Sequence, residues 1–162
     1  MKMIERTRTL ALGLAMLAIV LVAAVGCGDD DDDGTGGDGE SSVAVTLKEF
    51  EILTDTDSVP AGNVTFRAEN IGPDDPHELV VVKTDLAPGS LPTSADGSAD
   101  EEGVGVELIG EIEEFAVGGT EEATFDLEPG KYVLLCNVVE EEEDGEIESH
   151  YKNGMYTAFT VE

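Results

Sequence analysis

Four side chains that bind soft metal ions follow one another along this 162-residue chain. His77 comes first, and Cys136, His150 and Met155 then fall within 20 residues. Beyond residue 27, these are the two histidines, the one cysteine and the one methionine that the chain contains. A single buried cysteine or methionine is usually an ordinary core residue. The joint occurrence of all four is better explained by one metal site.

These four side chains form a soft donor set of two imidazoles, one thiolate and one thioether. Such a set selects copper over hard cations, which prefer oxygen ligands. Two histidines and one cysteine in a plane, with a weak axial methionine, make a blue-copper electron-transfer site. We therefore predict one copper ion that alternates between Cu(I) and Cu(II), with His77, Cys136, His150 and Met155 as its ligands.

The elements that would position these residues are predicted to be β-strands. Short alternating or apolar segments between turn residues are typical of strands, and no long helical pattern occurs. Segment 77–83 is apolar over most of its length, which predicts a strand buried on both faces. The predicted strands are residues 43–53, 63–70, 77–83, 106–117, 120–127, 131–139 and 155–161, with a long loop at residues 84–105.

About seven short strands predict an all-β fold, a Greek-key β-sandwich or barrel. In such a fold His77 would open one strand and Cys136 would lie near the end of another. His150 and Met155 would lie in the loop that leads into the last strand. Because strand ends of a sandwich can meet at one pole, the four side chains are expected to come together there.

The first 26 residues have the three parts of an export signal: a basic start, an apolar run at residues 10–25, and a small residue before Cys27. The sequence AVGC resembles the lipobox of bacterial and archaeal lipoproteins. It predicts cleavage before Cys27 and a lipid on that cysteine, with the protein anchored to a membrane at its periplasmic or extracellular face. An uncleaved anchor, or cleavage without lipid, is the alternative. With Cys27 lipidated, Cys136 has no disulfide partner, which metal ligation would explain.

Residues 27–42 are interpreted as a flexible tether, because GDDDDDGTGGDGESS has no large apolar residue and no periodicity. Part of it fits the pattern of a calcium-binding loop. That loop needs a helix on each side, and neither flank is helical in pattern, so no calcium site is predicted. The predicted organisation is a signal peptide (1–26), the tether (27–42) and one copper-binding domain (43–162).

The chain from Cys27 onward is strongly acidic, with 5 basic and 36 acidic residues and a net charge of −31. Such a charge argues against nucleic acid and anionic lipid surfaces as partners. It favours association with basic proteins. A solvated acidic surface that only keeps the protein soluble is the alternative interpretation.

Residues 43–162 resemble the cupredoxins of the plastocyanin, azurin and sulfocyanin type. The resemblance lies in AGNVTFRAENIGPDDPHELVVVK, PGKYVLLCN and HYKNGM, which contain the four candidate ligands. In that family the order is histidine, a long gap, cysteine, histidine and methionine, with the last three clustered. The resemblance implies a blue-copper electron carrier in which His150 exposes its ring edge for electron transfer. It also implies a redox partner, here expected to be a basic cytochrome or terminal oxidase.

The sequence differs from that family in two places. Thirteen residues, 137–149, separate Cys136 from His150, where family members have only a few. This longer loop could open the copper to water or supply a glutamate ligand, although its acidic run is interpreted mainly as a solvated tip. Glu78 stands where many members carry a polar amide, which leaves open the hydrogen bond between the ligand segments.

Four classes of protein function can be compared with this ligand set. An electron carrier is the first hypothesis, and a module for copper delivery or storage is the alternative. An enzyme is not expected, because multicopper oxidases and copper nitrite reductases need further histidines and a binuclear copper centre needs a second cysteine. A metal-free adhesion sandwich would leave the ligand set unexplained.

Overall fold

The computed structural model describes residues 40–141 and 145–162. The predicted signal peptide, Cys27, nearly all of the tether and the calcium-loop pattern lie outside these residues. Beside one short 3₁₀ helix, Pro88–Ser90, the described chain is built from strands. In chain order they are β1 (Ser41–Lys48), β2 (Glu51–Thr54), β3 (Ser58–Val59), β4 (Gly62–Asn70), β5 (His77–Lys83), β6 (Glu107–Phe115), β7 (Thr120–Leu127), β8 (Gly130–Leu135), β9 (Val139–Glu141), β10 (Ile147–Ser149) and β11 (Tyr156–Val161).

The strands form two main sheets and a small hairpin. One sheet has the order β2-β1-β4-β7, and the other has the order β3-β11-β8-β5-β6. The hairpin pairs β9 with β10. Most neighbours are antiparallel, but β1 with β4 and β3 with β11 are parallel, so both sheets are mixed. The prediction of an all-β sandwich is confirmed. In the part of the chain that the structure describes, no helix has the length and apolarity needed to cross a membrane.

The core lies between the two sheets, where alternate residues of each strand point inward. On β4 the alternating apolar residues Val64, Phe66 and Ala68 are fully buried. The ring of Phe66 packs edge-on against Phe159 of the opposite sheet, with centroids 5.4 Å apart. The period of two in the sequence therefore marks the buried face correctly.

Strand β5 is buried on both faces, as its apolar run predicts. Leu79 and Val81 face the main core. Val80 and Val82 lie in a second apolar cluster, which includes Leu91 from the long loop after β5. Residues of that loop pack on the outer face of the five-stranded sheet, so β5, which begins at His77, is covered on both sides.

Two predicted strands are each split in the structure. Segment 43–53 forms a hairpin of β1 and β2, in which Lys48 pairs with Glu51. Segment 131–139 leaves the sheet after Leu135 and resumes as β9. Apolar residues lie at or beside each break, Leu47 and Phe50 at the first and Cys136 and Val138 at the second, so apolar content alone does not mark the boundary. At the second break the backbone N–H of Cys136 still donates to Met155 O at 3.0 Å, which extends the pairing of β8 with β11 by one residue beyond the two strands.

Candidate metal centre

The register of three strands brings the predicted ligands to one pole of the sandwich. Leu135, the last residue of β8, pairs with Val80 of β5 and with Tyr156 of β11. The next residue, Cys136, therefore lies beside the start of β5, where His77 is, and beside the residue before β11, which is Met155. Antiparallel pairing makes this convergence a direct consequence of the strand order.

Three of the predicted ligand atoms face one another. Cys136 Sγ lies 3.3 Å from His150 Nδ1 and 3.9 Å from His77 Nδ1. The two Nδ1 atoms are 3.2 Å apart. The three residues form a group that could hold a metal ion, with ligand atoms within 4.8 Å of one another, and all three are fully buried.

Met155 is fully buried beside this group and is tied to two of its members through the backbone. Cys136 N–H donates to Met155 O, and Met155 N–H donates to His150 O, each at 3.0 Å. Gly154 has a φ of 102° at the turn before Met155. A side chain at this position would be strained, so the glycine allows the chain to return to the site so soon after His150.

Burial controls the protonation of the three facing residues. Burial raises the pKa of the Cys136 thiol to about 12. Burial, together with the neighbouring His77, lowers the pKa of His150 to about 4. Burial also lowers the pKa of His77, against the opposing charges of Glu49 and Asp75. At neutral pH both imidazoles are therefore neutral and able to bind a metal, while the thiol still holds its proton.

Carboxylates lie close to both histidine rings. Glu49 Oε1 is 3.7 Å from His77 Nε2, and Asp75 and Glu148 form an acidic group with a ring nitrogen of His150. Desolvation raises the pKa of Glu49, but hydrogen bonds from the backbone N–H groups of Asp75 and Asp74 outweigh it, so the pKa lies below its ordinary value. Sequence reasoning missed Glu49, because no local pattern separates it from the many other acidic residues.

Glu78 makes a hydrogen bond between the two ligand segments. The sequence alone did not decide whether a glutamate at this position would do so. Its Oε1 accepts the backbone N–H of Asn137 at 3.0 Å and so joins the residue after His77 to the residue after Cys136. Burial, together with the charges of the surrounding glutamates and against the Asn137 hydrogen bond, raises the pKa of Glu78 to about 7. A carboxylate thus supplies a cross-link between the two ligand segments.

In the described part of the segment between Cys136 and His150, β9 pairs with β10. His150 N–H donates to Val138 O at 3.0 Å, which ties the ligand to the residue two positions after Cys136. The ring of Phe50 packs edge-on against His150, with centroids 5.0 Å apart. The expectation that His150 exposes its ring edge is therefore wrong in this structure, since its exposed fraction is 0%.

The donor set fits copper. Among the described residues, the candidate metal-binding group that contains Cys136 also has two imidazoles, and it has no carboxylate. Sulfur and imidazole donors suit copper, whereas the hard cations need several oxygens. The longer loop also leaves Cys136, both histidines and Met155 without solvent exposure. The site therefore retains the dry surroundings that its donor set needs.

Comparison with solved structures identifies the fold. No protein-family model and no curated protein matches the chain. Among solved structures, auracyanin A, a "blue" copper protein from Chloroflexus aurantiacus, is 20% identical, with a TM-score of 0.51 over 76% of this chain and 100% of the auracyanin. Rusticyanin from Thiobacillus ferrooxidans is 13% identical, with a TM-score of 0.53 over 78% of this chain and 79% of the rusticyanin. A reduced rusticyanin is 15% identical, with a TM-score of 0.53 over 83% and 89%. The chain therefore has the cupredoxin fold, with the donor set of a type 1 copper site at its pole.

Proposed function

We propose that this protein is a one-electron carrier that uses a type 1 copper ion at the outer face of a membrane. One observation carries the proposal: His77 Nδ1, His150 Nδ1 and Cys136 Sγ converge in a fully buried group. The similarity to a "blue" copper protein and to a reduced rusticyanin supports the same conclusion.

Each residue has a distinct part in this function. Copper would supply the one-electron chemistry, since it is stable as Cu(I) and as Cu(II). Cys136 would hold the copper through its thiolate and the two histidines through their imidazoles, with Met155 as a further, weak ligand. Backbone hydrogen bonds tie Cys136, Met155 and His150 to one another, so the chain itself would hold these residues in place in both oxidation states.

A carrier fits this chain better than an enzyme. The chain has two histidines in all, and both lie in the same group. A second copper centre for oxidase or nitrite reductase chemistry would need more histidines. The alternative, copper delivery or storage, predicts easy release of the metal, whereas the ligand residues here are fully buried.

The proposed location rests on the N-terminal sequence. The basic start, the apolar run and AVGC support export and a lipid on Cys27. We expect mass spectrometry of the native protein to give a mature chain that begins at Cys27 and carries lipid. An unmodified Cys27, or a chain that still begins at Met1, would contradict the anchor.

The proposed partner is a basic redox protein, such as a cytochrome or a terminal oxidase. The net charge of −31 from Cys27 onward would steer a basic partner to the surface. Steering raises association rates by roughly 10- to 1000-fold at low salt, and salt screens it.

Stopped-flow reduction tests the carrier directly. With a basic cytochrome as donor, we expect a second-order rate that falls as ionic strength rises, with copper retained over repeated cycles. A neutral small-molecule reductant is the control, and its rate should not vary with salt. Transfer of copper to an apo-acceptor during reduction would instead support delivery. A salt-independent rate with bound copper would leave the carrier role but contradict the electrostatic partner.

A further inference from the structure

A largely buried carboxylate, that of Glu49, lies near the Nε2 atom of the candidate ligand His77. Glu49 belongs to the turn between β1 and β2 in the four-stranded sheet, whereas His77 begins β5 in the five-stranded sheet. The Glu49 side chain is only 11% exposed. Burying a carboxylate is costly unless its oxygens find donors, so the position of Glu49 requires a physical explanation.

Part of that explanation is the loop that leads into His77. Glu49 Oε1 accepts the backbone N–H of Asp75 at 2.7 Å and that of Asp74 at 3.0 Å. The same oxygen lies 3.7 Å from His77 Nε2. Glu49 therefore joins one sheet to the segment that delivers a metal ligand from the other sheet.

The contact still holds one unused acceptor and one unused ring nitrogen. Glu49 Oε2 and His77 Nε2 are buried and have no hydrogen-bond partner among the described residues. His77 Nδ1 faces Cys136 Sγ and His150 Nδ1, so a metal would bind that nitrogen. Ligation through Nδ1 places the ring proton on Nε2, because a neutral imidazole has one protonated nitrogen. Nε2–H then becomes a donor with a carboxylate oxygen 3.7 Å from its nitrogen, and this distance would have to shorten by about 0.5 Å for a hydrogen bond to form.

We infer that Glu49 is the positioning residue of His77: it accepts the Nε2–H hydrogen bond, fixes the orientation of the ring and lowers the reduction potential of the metal. The inference rests on the proposed function, because it requires a metal at Nδ1. A carboxylate behind a ligand histidine makes the ring a stronger donor. Its negative charge also favours the more highly charged metal, Cu(II) over Cu(I).

Glu49→Gln tests the inference, with Glu51→Gln as the matched control. Glutamine keeps the shape of the side chain and removes its charge. Glu51 lies in the same hairpin, but its side chain is 52% exposed and pairs with Lys48. We expect Glu49→Gln to weaken Cu(II) binding about tenfold with little change for Cu(I). For a one-electron couple this corresponds to a rise in reduction potential of about 59 mV. Glu51→Gln should leave the potential unchanged.

An unchanged potential in Glu49→Gln, or an equal rise in both variants, would overturn the inference. A second measurement uses the unaltered Cu(I)-loaded protein and does not depend on a variant that folds. In its ¹H–¹⁵N NMR spectrum, the His77 Nε2 proton should resonate downfield, as expected for a hydrogen bond to a carboxylate. A shift typical of an imidazole N–H without an acceptor would contradict the contact. Failure of the unaltered protein to bind copper would contradict the proposed function itself, so the two failures are distinguishable.

Discussion

At the scale of single residues, the protein places a protonated thiol beside two neutral imidazoles. Burial raises the pKa of Cys136 to about 12 and contributes to lowering that of His150 to about 4. A metal that binds this group must therefore displace the thiol proton, because the thiolate is the ligand. The histidines lose no proton at neutral pH, so one proton should leave for each metal ion bound.

This proton balance predicts how copper affinity depends on pH. Above the pKa of both histidines and below that of the Cys136 thiol, the apparent affinity for Cu(I) should rise about tenfold per pH unit, because one proton is released. Calorimetric titration at neutral pH, in buffers of different ionisation enthalpy, should give about one proton released per copper.

The control for the proton count is Cys136→Ser, in which proton release should disappear together with most of the affinity. A copper affinity of the unaltered protein that does not change with pH would show that the thiolate already exists in the metal-free protein. That result would contradict the burial argument.

At the scale of elements, the long loop after β5 fastens the ligand segments to the sheet. The Tyr151 hydroxyl accepts the backbone N–H of Leu91 at 3.0 Å and donates to Pro88 O at 2.8 Å. Ser149 Oγ donates to Gly97 O at 2.8 Å. These bonds hold the two neighbours of His150 against a loop that is itself packed on β5. The loop that carries His150 is therefore held by hydrogen bonds to the long loop after β5 as well as by its own turn.

Tyr151→Phe should destabilise the metal-free protein by about 1–3 kcal/mol, because the N–H of Leu91 loses its partner in a buried place. Tyr156→Phe is the matched control, since the Tyr156 hydroxyl makes no hydrogen bond within the described residues. It should change the free energy of unfolding by no more than about 0.5 kcal/mol. Chemical denaturation of both variants measures the difference. Equal effects of the two substitutions would show that the loop does not depend on the Tyr151 bonds.

The elements that sequence reasoning located well are those with a local signal. The apolar run of β5 and the alternation of β4 and β7 gave strands close to the predicted bounds. The ligand positions were equally accessible, because histidine, cysteine and methionine are rare in this chain. The contact of Glu49 with the His77 segment and the burial of His150 under Phe50 were not predicted. Both contacts join residues that are far apart in sequence. The type of an acidic or aromatic residue does not indicate which distant residue it will contact.

At the scale of the whole molecule, a small sandwich holds a dry site within a highly acidic surface. The two sheets fix the pole, and the apolar core beneath it extends to Cys136 and Met155. Of the basic side chains, Lys48, Lys83 and Lys131 each lie within ion-pair distance of an acidic residue. Because these lysines are paired, few basic side chains remain to offset the negative surface charge that would attract a basic partner.

The optical spectrum of the purified protein with Cu(II) tests the central claim most directly. We predict an intense visible band from charge transfer between the Cys136 thiolate and copper, and its loss in Cys136→Ser. The band should be present with one copper per chain, because the four ligands form one site. A colourless, weakly bound Cu(II) complex in the unaltered protein would contradict the account, because a thiolate bonded to Cu(II) absorbs strongly in the visible range.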